Sequence, residues 1–110
     1  MDKIWLNKYP KNVASEIDLD PQHSLLNVVQ DSVAKFGDKE AFMNMGKSIS
    51  YNELNREAEA FAAYLQNELG IKKGDAVAIM MPNLLQYPVA LIAVHRIGAI
   101  VVNVNPLYTR

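Results

Sequence analysis

The sequence contains no cysteine. That absence excludes disulfides, thiolate metal sites and cysteine nucleophiles, and it fits a reducing compartment. No Gly-x-Gly-x-x-Gly occurs, so the dinucleotide fingerprint is missing. There is no excess of either charge. Eleven Lys and Arg stand against twelve Asp and Glu, for a net charge of -1. Electrostatics therefore gives no reason to expect a nucleic-acid partner. Nowhere does an apolar run approach the about 18 residues that span a bilayer. Met1 to Pro10 carries Lys3 and Lys8 but no continuous apolar stretch, so it does not read as a signal peptide. Internal repeats and low-complexity segments are also lacking.

What remains is ordinary globular composition. Half of the 110 residues are hydrophobic and 21% are charged, enough for one small domain with a modest core. Residues 1–22 show no periodicity and read as an N-terminal arm, with a turn at Asp20-Pro21. Trp5 and Tyr9 lie there among Lys3, Lys8 and Lys11. Such a segment either packs its aromatics on its own domain, which is the favoured reading, or touches a membrane surface or partner.

From residue 23 onward the pattern becomes regular. Ser24 suits the N-cap of a first helix, with Leu25, Val29, Val33 and Phe36 on one face and Gly37 as a left-handed C-cap. Ala41–Met45 and Ser48–Tyr51 predict two strands joined by a type II′ turn at Gly46-Lys47. Ser50 and Glu53 form a capping box for a second helix. Its apolar stripe is Leu54, Ala58, Phe61, Leu65 and Leu69, and Gly70 terminates it. After a turn at Lys72-Lys73-Gly74-Asp75, the run Ala76–Met81 predicts a strand buried on both faces. Asn83 caps a third helix reaching about Ile97, regular from about Tyr87 because Pro88 lacks a backbone donor. Gly98 closes it, and Ile100–Val104 is a further buried strand.

Strand, helix, strand with short links predicts a parallel βαβ unit with a right-handed crossover. The expected class is therefore α/β: helix, β-hairpin, helix, then βαβ. The third helix is apolar nearly all round, as interior helices of large domains are. Two parallel strands also leave sheet surface for something else to cover. This predicts an incomplete sheet, or apolar surface covered by self-association, and hence a homo-oligomer.

Candidate chemistry is sparse. Gly46-Lys47-Ser48 resembles the end of a phosphate-binding P-loop, but Ala41 stands where the pattern needs its first glycine, and a hairpin turn explains the tripeptide. His23 and His95 lack metal-ligand spacing; the first fits a turn and the second, beside Arg96, a helix C-terminus. Asp75, Glu53 and Glu57 offer no paired-carboxylate geometry, and Glu57 with Arg56 fits a solvated helix face. Asn83 is either an N-cap, the favoured reading, or a polar group at the carboxyl end of a parallel strand, where ligands of open sheets bind. Asn103 and Asn105 share that ambiguity. No catalytic, cofactor-binding or metal-ligating residue is assigned.

Particular runs say more than periodicity. Ser50-Tyr51-Asn52-Glu53-Leu54, Phe61-Ala62-Ala63-Tyr64-Leu65 and Gly74-Asp75-Ala76-Val77-Ala78-Ile79 resemble the acyl-adenylate-forming superfamily. Met80-Met81-Pro82-Asn83-Leu84-Leu85-Gln86-Tyr87-Pro88-Val89-Ala90-Leu91 and Val101-Val102-Asn103-Val104-Asn105-Pro106-Leu107-Tyr108-Thr109 are similar to bacterial long-chain fatty acid–CoA ligases. So is the opening Ile4-Trp5-Leu6-Asn7-Lys8-Tyr9-Pro10. The ligases usually continue with Pro-Arg-Glu after the threonine, whereas Thr109 is followed directly by Arg110.

The resemblance implies an N-terminal piece of a much longer enzyme, with residues 23–110 forming the first part of its large adenylation domain. Such an enzyme uses ATP and Mg2+ to convert a fatty acid to an acyl-adenylate and then, with coenzyme A, to a thioester. The family's phosphate loop, acyl pocket and C-terminal lysine fall beyond this segment. The segment is therefore expected to act as scaffold, to be inactive alone and to bind neither ATP nor Mg2+. It also implies a cytoplasmic protein, with peripheral contact at the inner face of the membrane. A stand-alone interaction module that dimerises through its sheet face is the competing reading. A complete small nucleotide-binding enzyme is a third, disfavoured by the missing phosphate loop.

Overall fold

A computed structural model describes residues 3–20 and 23–108. The sequence-predicted alternation of elements is present: α1 (Leu25–Phe36), β1 (Glu40–Asn44), β2 (Lys47–Ser50), α2 (Tyr51–Asn67), β3 (Ala76–Ile79), α3 (Gln86–Arg96) and β4 (Ile100–Asn103). Strands β1 and β2 form an antiparallel hairpin, while β3 and β4 form a separate two-stranded parallel sheet. The arm carries one 3₁₀ turn, Ile4–Lys8, and an ion pair between Lys3 and Glu16. Trp5 is 50% exposed and Tyr9 44%, so neither is buried against the domain. The expected Asp20-Pro21 turn lies partly outside the described residues; within them, His23 N–H donates to the Asp20 carbonyl at 3.1 Å.

The predicted N-caps Ser24 and Ser50 both form. The Ser24 hydroxyl accepts from Asn27 N–H, and Asn27 Oδ1 accepts from Ser24 N–H at 2.8 Å, which completes a capping box with asparagine in place of the usual Glu or Gln. Ser50 accepts from Glu53 N–H at 3.2 Å, and Glu53 Oε2 accepts from Ser50 N–H at 2.9 Å. Gly37, however, is not left-handed: its φ is -29° and ψ -54°. Close approach explains the glycine, because a Cβ there would stand 2.7 Å from the Asn52 side chain. Asn52 N–H donates to the Gly37 carbonyl at 2.9 Å, and its amide donates to Asp38 at 3.0 Å, which ties the start of α2 to the end of α1.

The hairpin turn also differs from expectation. Asn44 pairs with Lys47, so the loop residues are Met45 and Gly46. Both have positive φ, 49° and 75°, which is the signature of a type I′ turn rather than type II′. A bulge between Glu40 and Phe42 completes the irregular strand.

Helices α2 and α3 build the core together. Leu54, Ala58, Ala62 and Leu65 of α2 are buried, whereas Leu69 lies beyond the helix end and is 55% exposed. Ala62 takes the place that the predicted stripe gave to Phe61, which is only partly buried. On α3, Ala90, Ile92, Ala93 and Val94 are buried. Ala58 and Ala93 are fully inaccessible, so small side chains let the two helices approach closely. Helix α2 ends at Asn67, and Gly70, at φ 66°, turns the chain back so that Ile71 N–H reaches the Leu65 carbonyl at 2.9 Å. Helix α3 ends in a Schellman motif: Ala99 N–H donates to the Val94 carbonyl, Gly98 N–H to that of His95, and Gly98 is left-handed.

The parallel pairing is as expected, with Ala76 opposite Ile100 and Ala78 opposite Val102. Burial on both faces is not found. Val77, Ile79 and Val101 turn towards the helices, while Ala76, Ala78, Ile100 and Val102 are exposed on the other side. The strands need two covered faces, and this chain supplies helices to one.

Candidate functional site

Ligands of open α/β sheets bind beyond the carboxyl ends of the strands. At that end, Ile79, Met81, Asn83, Tyr87, Asn103 and Asn105 help line an open cleft of about 580 Å³. Three asparagines singled out in the sequence therefore meet there.

Asn83 and Asn103 bond to distant parts of the chain, whereas Asn105 bonds locally. Asn83 is not an N-cap, since α3 begins at Gln86 after Leu85 and shows no side-chain cap. The leader Pro82–Leu85 instead forms an irregular turn, as the missing Pro88 donor requires. The Asn83 carbonyl accepts from Asn44 Nδ2 at 2.6 Å, which fastens the hairpin to that leader. Asn103 Oδ1 accepts from the Tyr87 hydroxyl at 2.9 Å, linking the end of β4 to the first turn of α3. Asn105 Oδ1 accepts from Leu107 N–H at 2.9 Å and its carbonyl accepts from Tyr108 N–H, so this residue holds the turn that leaves the sheet.

The other candidates separate in space. Gly46 sits in the hairpin turn, and Lys47 and Ser48 are strand residues, so no phosphate loop precedes a helix there. His23, ahead of the Ser24 cap, lies 3.9 Å from Asp31 in the middle of α1, and His95 is in the last turn of α3. Asp75 accepts from Lys72 N–H at 2.7 Å and shapes the turn before β3. Glu57 pairs with Arg56 at 3.5 Å on the surface. The Ser50 backbone N–H, and then its hydroxyl, hold the Glu53 carboxyl below its ordinary range, assisted by Arg56 and opposed by desolvation. Among the described residues, no group of three or more His, Cys, Asp or Glu could hold a metal ion.

One polar cluster escaped the sequence reading. Arg96 has only 19% of its side chain exposed, and its guanidinium bridges two residues of α2: Glu59 at 3.2 Å and Asn55 Oδ1 at 2.5 Å. Asn55 Nδ2 also donates to Glu59 at 3.0 Å, and Arg96 Nε is buried without a partner. Asn55 and Glu59 are four apart, so they share a helix face, but only the packing of α3 on α2 shows which arginine meets them.

Comparison with known proteins settles the family. The model of the AMP-binding enzyme family matches residues 29–110. The chain belongs to this family. A long-chain-fatty-acid–CoA ligase of Escherichia coli O6:H1 is 57% identical over 109 residues, which is 99% of this chain and 19% of that protein. The chain thus spans about a fifth of the length of the curated ligases it matches. Among solved structures, the N-terminal subdomain of Klebsiella oxytoca NpsA in complex with 3-hydroxyanthranilyl-AMSN superposes with a TM-score of 0.74. That match is 30% identical and covers 78% of this chain and 22% of the subdomain. A Rhodopseudomonas palustris protein described as a long-chain-fatty-acid CoA ligase gives a TM-score of 0.73 at 32% identity, over 79% of this chain and 22% of that one. Mixed α/β architecture with one antiparallel and one parallel pair is therefore that of an AMP-binding N-terminal segment.

Proposed function

We propose that this chain is the scaffold-forming N-terminal segment of an ATP-dependent, AMP-forming long-chain fatty acid–CoA ligase. Residues 1–22 are its arm and residues 23–110 the first part of its large domain. The observation that carries the reading is 57% identity to such a ligase along 99% of the chain. On this reading the parent enzyme joins a fatty acid to coenzyme A and converts ATP to AMP and pyrophosphate.

The residues in hand do not fit Mg2+ or the phosphates of ATP. The described residues hold no acidic or histidine cluster, and the sequence has no phosphate loop. No step of the reaction is therefore assigned to these side chains. Their part is architectural: the Tyr87–Asn103 bond and the Asn105 turn fix how the chain leaves β4. The parent works in the cytoplasm, and the arm offers peripheral contact with the inner membrane face. Trp5 and Ile4 are exposed there beside Lys3 and Lys8, which supports that contact.

A chimera tests the reading. The matched segment of the Escherichia coli ligase is replaced by this chain, and acyl-CoA formation from ATP, palmitate and coenzyme A is measured. Activity within about tenfold of the unmodified ligase is expected, because the exchange preserves the fold and touches no reacting group. A chimera that is soluble and folded yet inactive would overturn the assignment.

A further inference from the structure

The tip of the β1–β2 hairpin holds a methionine that its surroundings do not account for. Met45 has a φ of 49°, in the left-handed region where a side chain is strained and Asn or Gly is favoured. Packing gives nothing in return, because Met45 is 92% exposed. Backbone and burial both argue against methionine there, and what remains distinctive is its thioether. Among the described residues the other methionines are Met43, Met80 and Met81. Met43 lines the apolar pocket between the hairpin and the start of α3 and is 67% exposed. Met80 follows β3 and is 65% exposed, while Met81 is partly buried against the core.

We propose that Met45 is a reversible oxidation site whose oxidant is hydrogen peroxide. The sulfur lone pair attacks one peroxide oxygen, so that an S–O bond forms and the O–O bond breaks. The proton of the transferred oxygen passes to the departing hydroxide, which leaves as water. Sulfur is oxidised to the sulfoxide and the peroxide is reduced. The inference stands apart from the ligase assignment.

Three features suit this position to the reaction. Access is open, since little of the side chain is covered. The sequence has no cysteine, so no thiolate of the same chain competes for the peroxide. The product is also tolerated. A sulfoxide is polar and disrupts apolar packing where a methionine is buried. At a turn between Asn44 and Lys47 it meets water and displaces no packed neighbour. The same change at Met81 would set a polar group against the core, and at Met43 it would set one in the apolar pocket. Met45 therefore takes up oxygen without loosening the fold, and enzymatic reduction restores it.

The purified chain is treated with limiting hydrogen peroxide, and sulfoxide at each methionine is followed by mass spectrometry of tryptic peptides. Fragment ions of the Glu40–Lys47 peptide separate Met45 from Met43. Sulfoxide should form at Met45 at least about twofold faster than at Met43 or Met80, and about tenfold faster than at Met81. In urea the four rates should become equal, which shows that the fold sets the order. Met45→Leu should remove the fastest phase and leave the Met43 rate unchanged. The singly oxidised chain should melt within about 1 °C of the reduced one, and methionine sulfoxide reductases A and B together should restore its mass. Met43 or Met80 reacting as fast as Met45 in the folded chain overturns the proposal, as does a sulfoxide at Met45 that lowers Tm by several degrees or resists both reductases. The rates are measured again in the single-chain chimera described above. Met45 reacting first there extends the site to the longer protein. Protection of Met45 there shows that other sequence covers it and overturns the proposal, while the ligase assignment is judged separately by the chimera's activity.

Discussion

Arg96 is the last residue of α3. Its guanidinium joins Glu59 and Asn55 of α2, and most of its side chain is covered. Replacing it by leucine keeps some of the packing but leaves Asn55 without that donor. Arg96→Leu should cost about 1 kcal/mol and lower Tm by about 4–8 °C, the range for a domain of this size. Lysine cannot fork to both partners, so Arg96→Lys should recover less than half of that loss in thermal denaturation. Ala93 makes a sharper demand. With no accessible surface and Ala58 equally buried on the facing helix, neither position has room for a larger side chain. Ala93→Leu should destabilise by about 1–3 kcal/mol, readable as a lower urea midpoint, while Ala63→Leu on the exposed face of α2 should change little.

At the scale of elements, turns and caps carry the next predictions. Met45 occupies a left-handed position that favours Gly or Asn. Met45→Asn creates the Asn-Gly pair preferred in type I′ turns and should stabilise the hairpin by about 0.5–1 kcal/mol in denaturant titrations. Loss of the Ser50 hydroxyl removes a cap from α2, so Ser50→Ala should cost about 1 kcal/mol. The Glu53 half of that box is pH-dependent. Hydrogen bonds from Ser50 depress the folded carboxyl below its unfolded value. Its contribution is therefore present above the ordinary Glu value, about 4.3, and is lost as pH falls through the lower folded one. Denaturation of Glu53→Gln should accordingly show a shallower loss of stability across that acidic interval than the unsubstituted chain.

These elements also show what a sequence can and cannot convey. Ser50-x-x-Glu53 and Ser24 announced α2 and α1 because capping chemistry is local. Alternating strand and helix patterns announced the βαβ order for the same reason. Met45 was hidden, since a methionine at positive φ follows the register set by the opposite strand rather than its own preference. Asn83 resembled a cap, but Pro88 displaced the helix start to Gln86. Gly37 has no special φ, and its meaning lies in a neighbour fifteen residues on. The three carboxyl-end asparagines were legible as candidates. The bonds of Asn103 to Tyr87 and of the Asn83 carbonyl to Asn44 depended on tertiary contact, whereas the Asn105 bond to Leu107 is local.

For the whole molecule, burial is uneven. A core shared by α2, α3 and one sheet face is closed, while Ile100 and Val102 on the other face remain 55% and 41% exposed. The chain spans about a fifth of the ligases it matches, and the proposed reading gives it the framework and other sequence the chemistry. Pyrophosphate release by the purified 110-residue chain tests this division most directly, with ATP, Mg2+ and palmitate supplied in excess. No release above the protein-free blank is expected. Palmitate-dependent release that tracks the purified chain would place catalysis inside these residues and contradict the scaffold role.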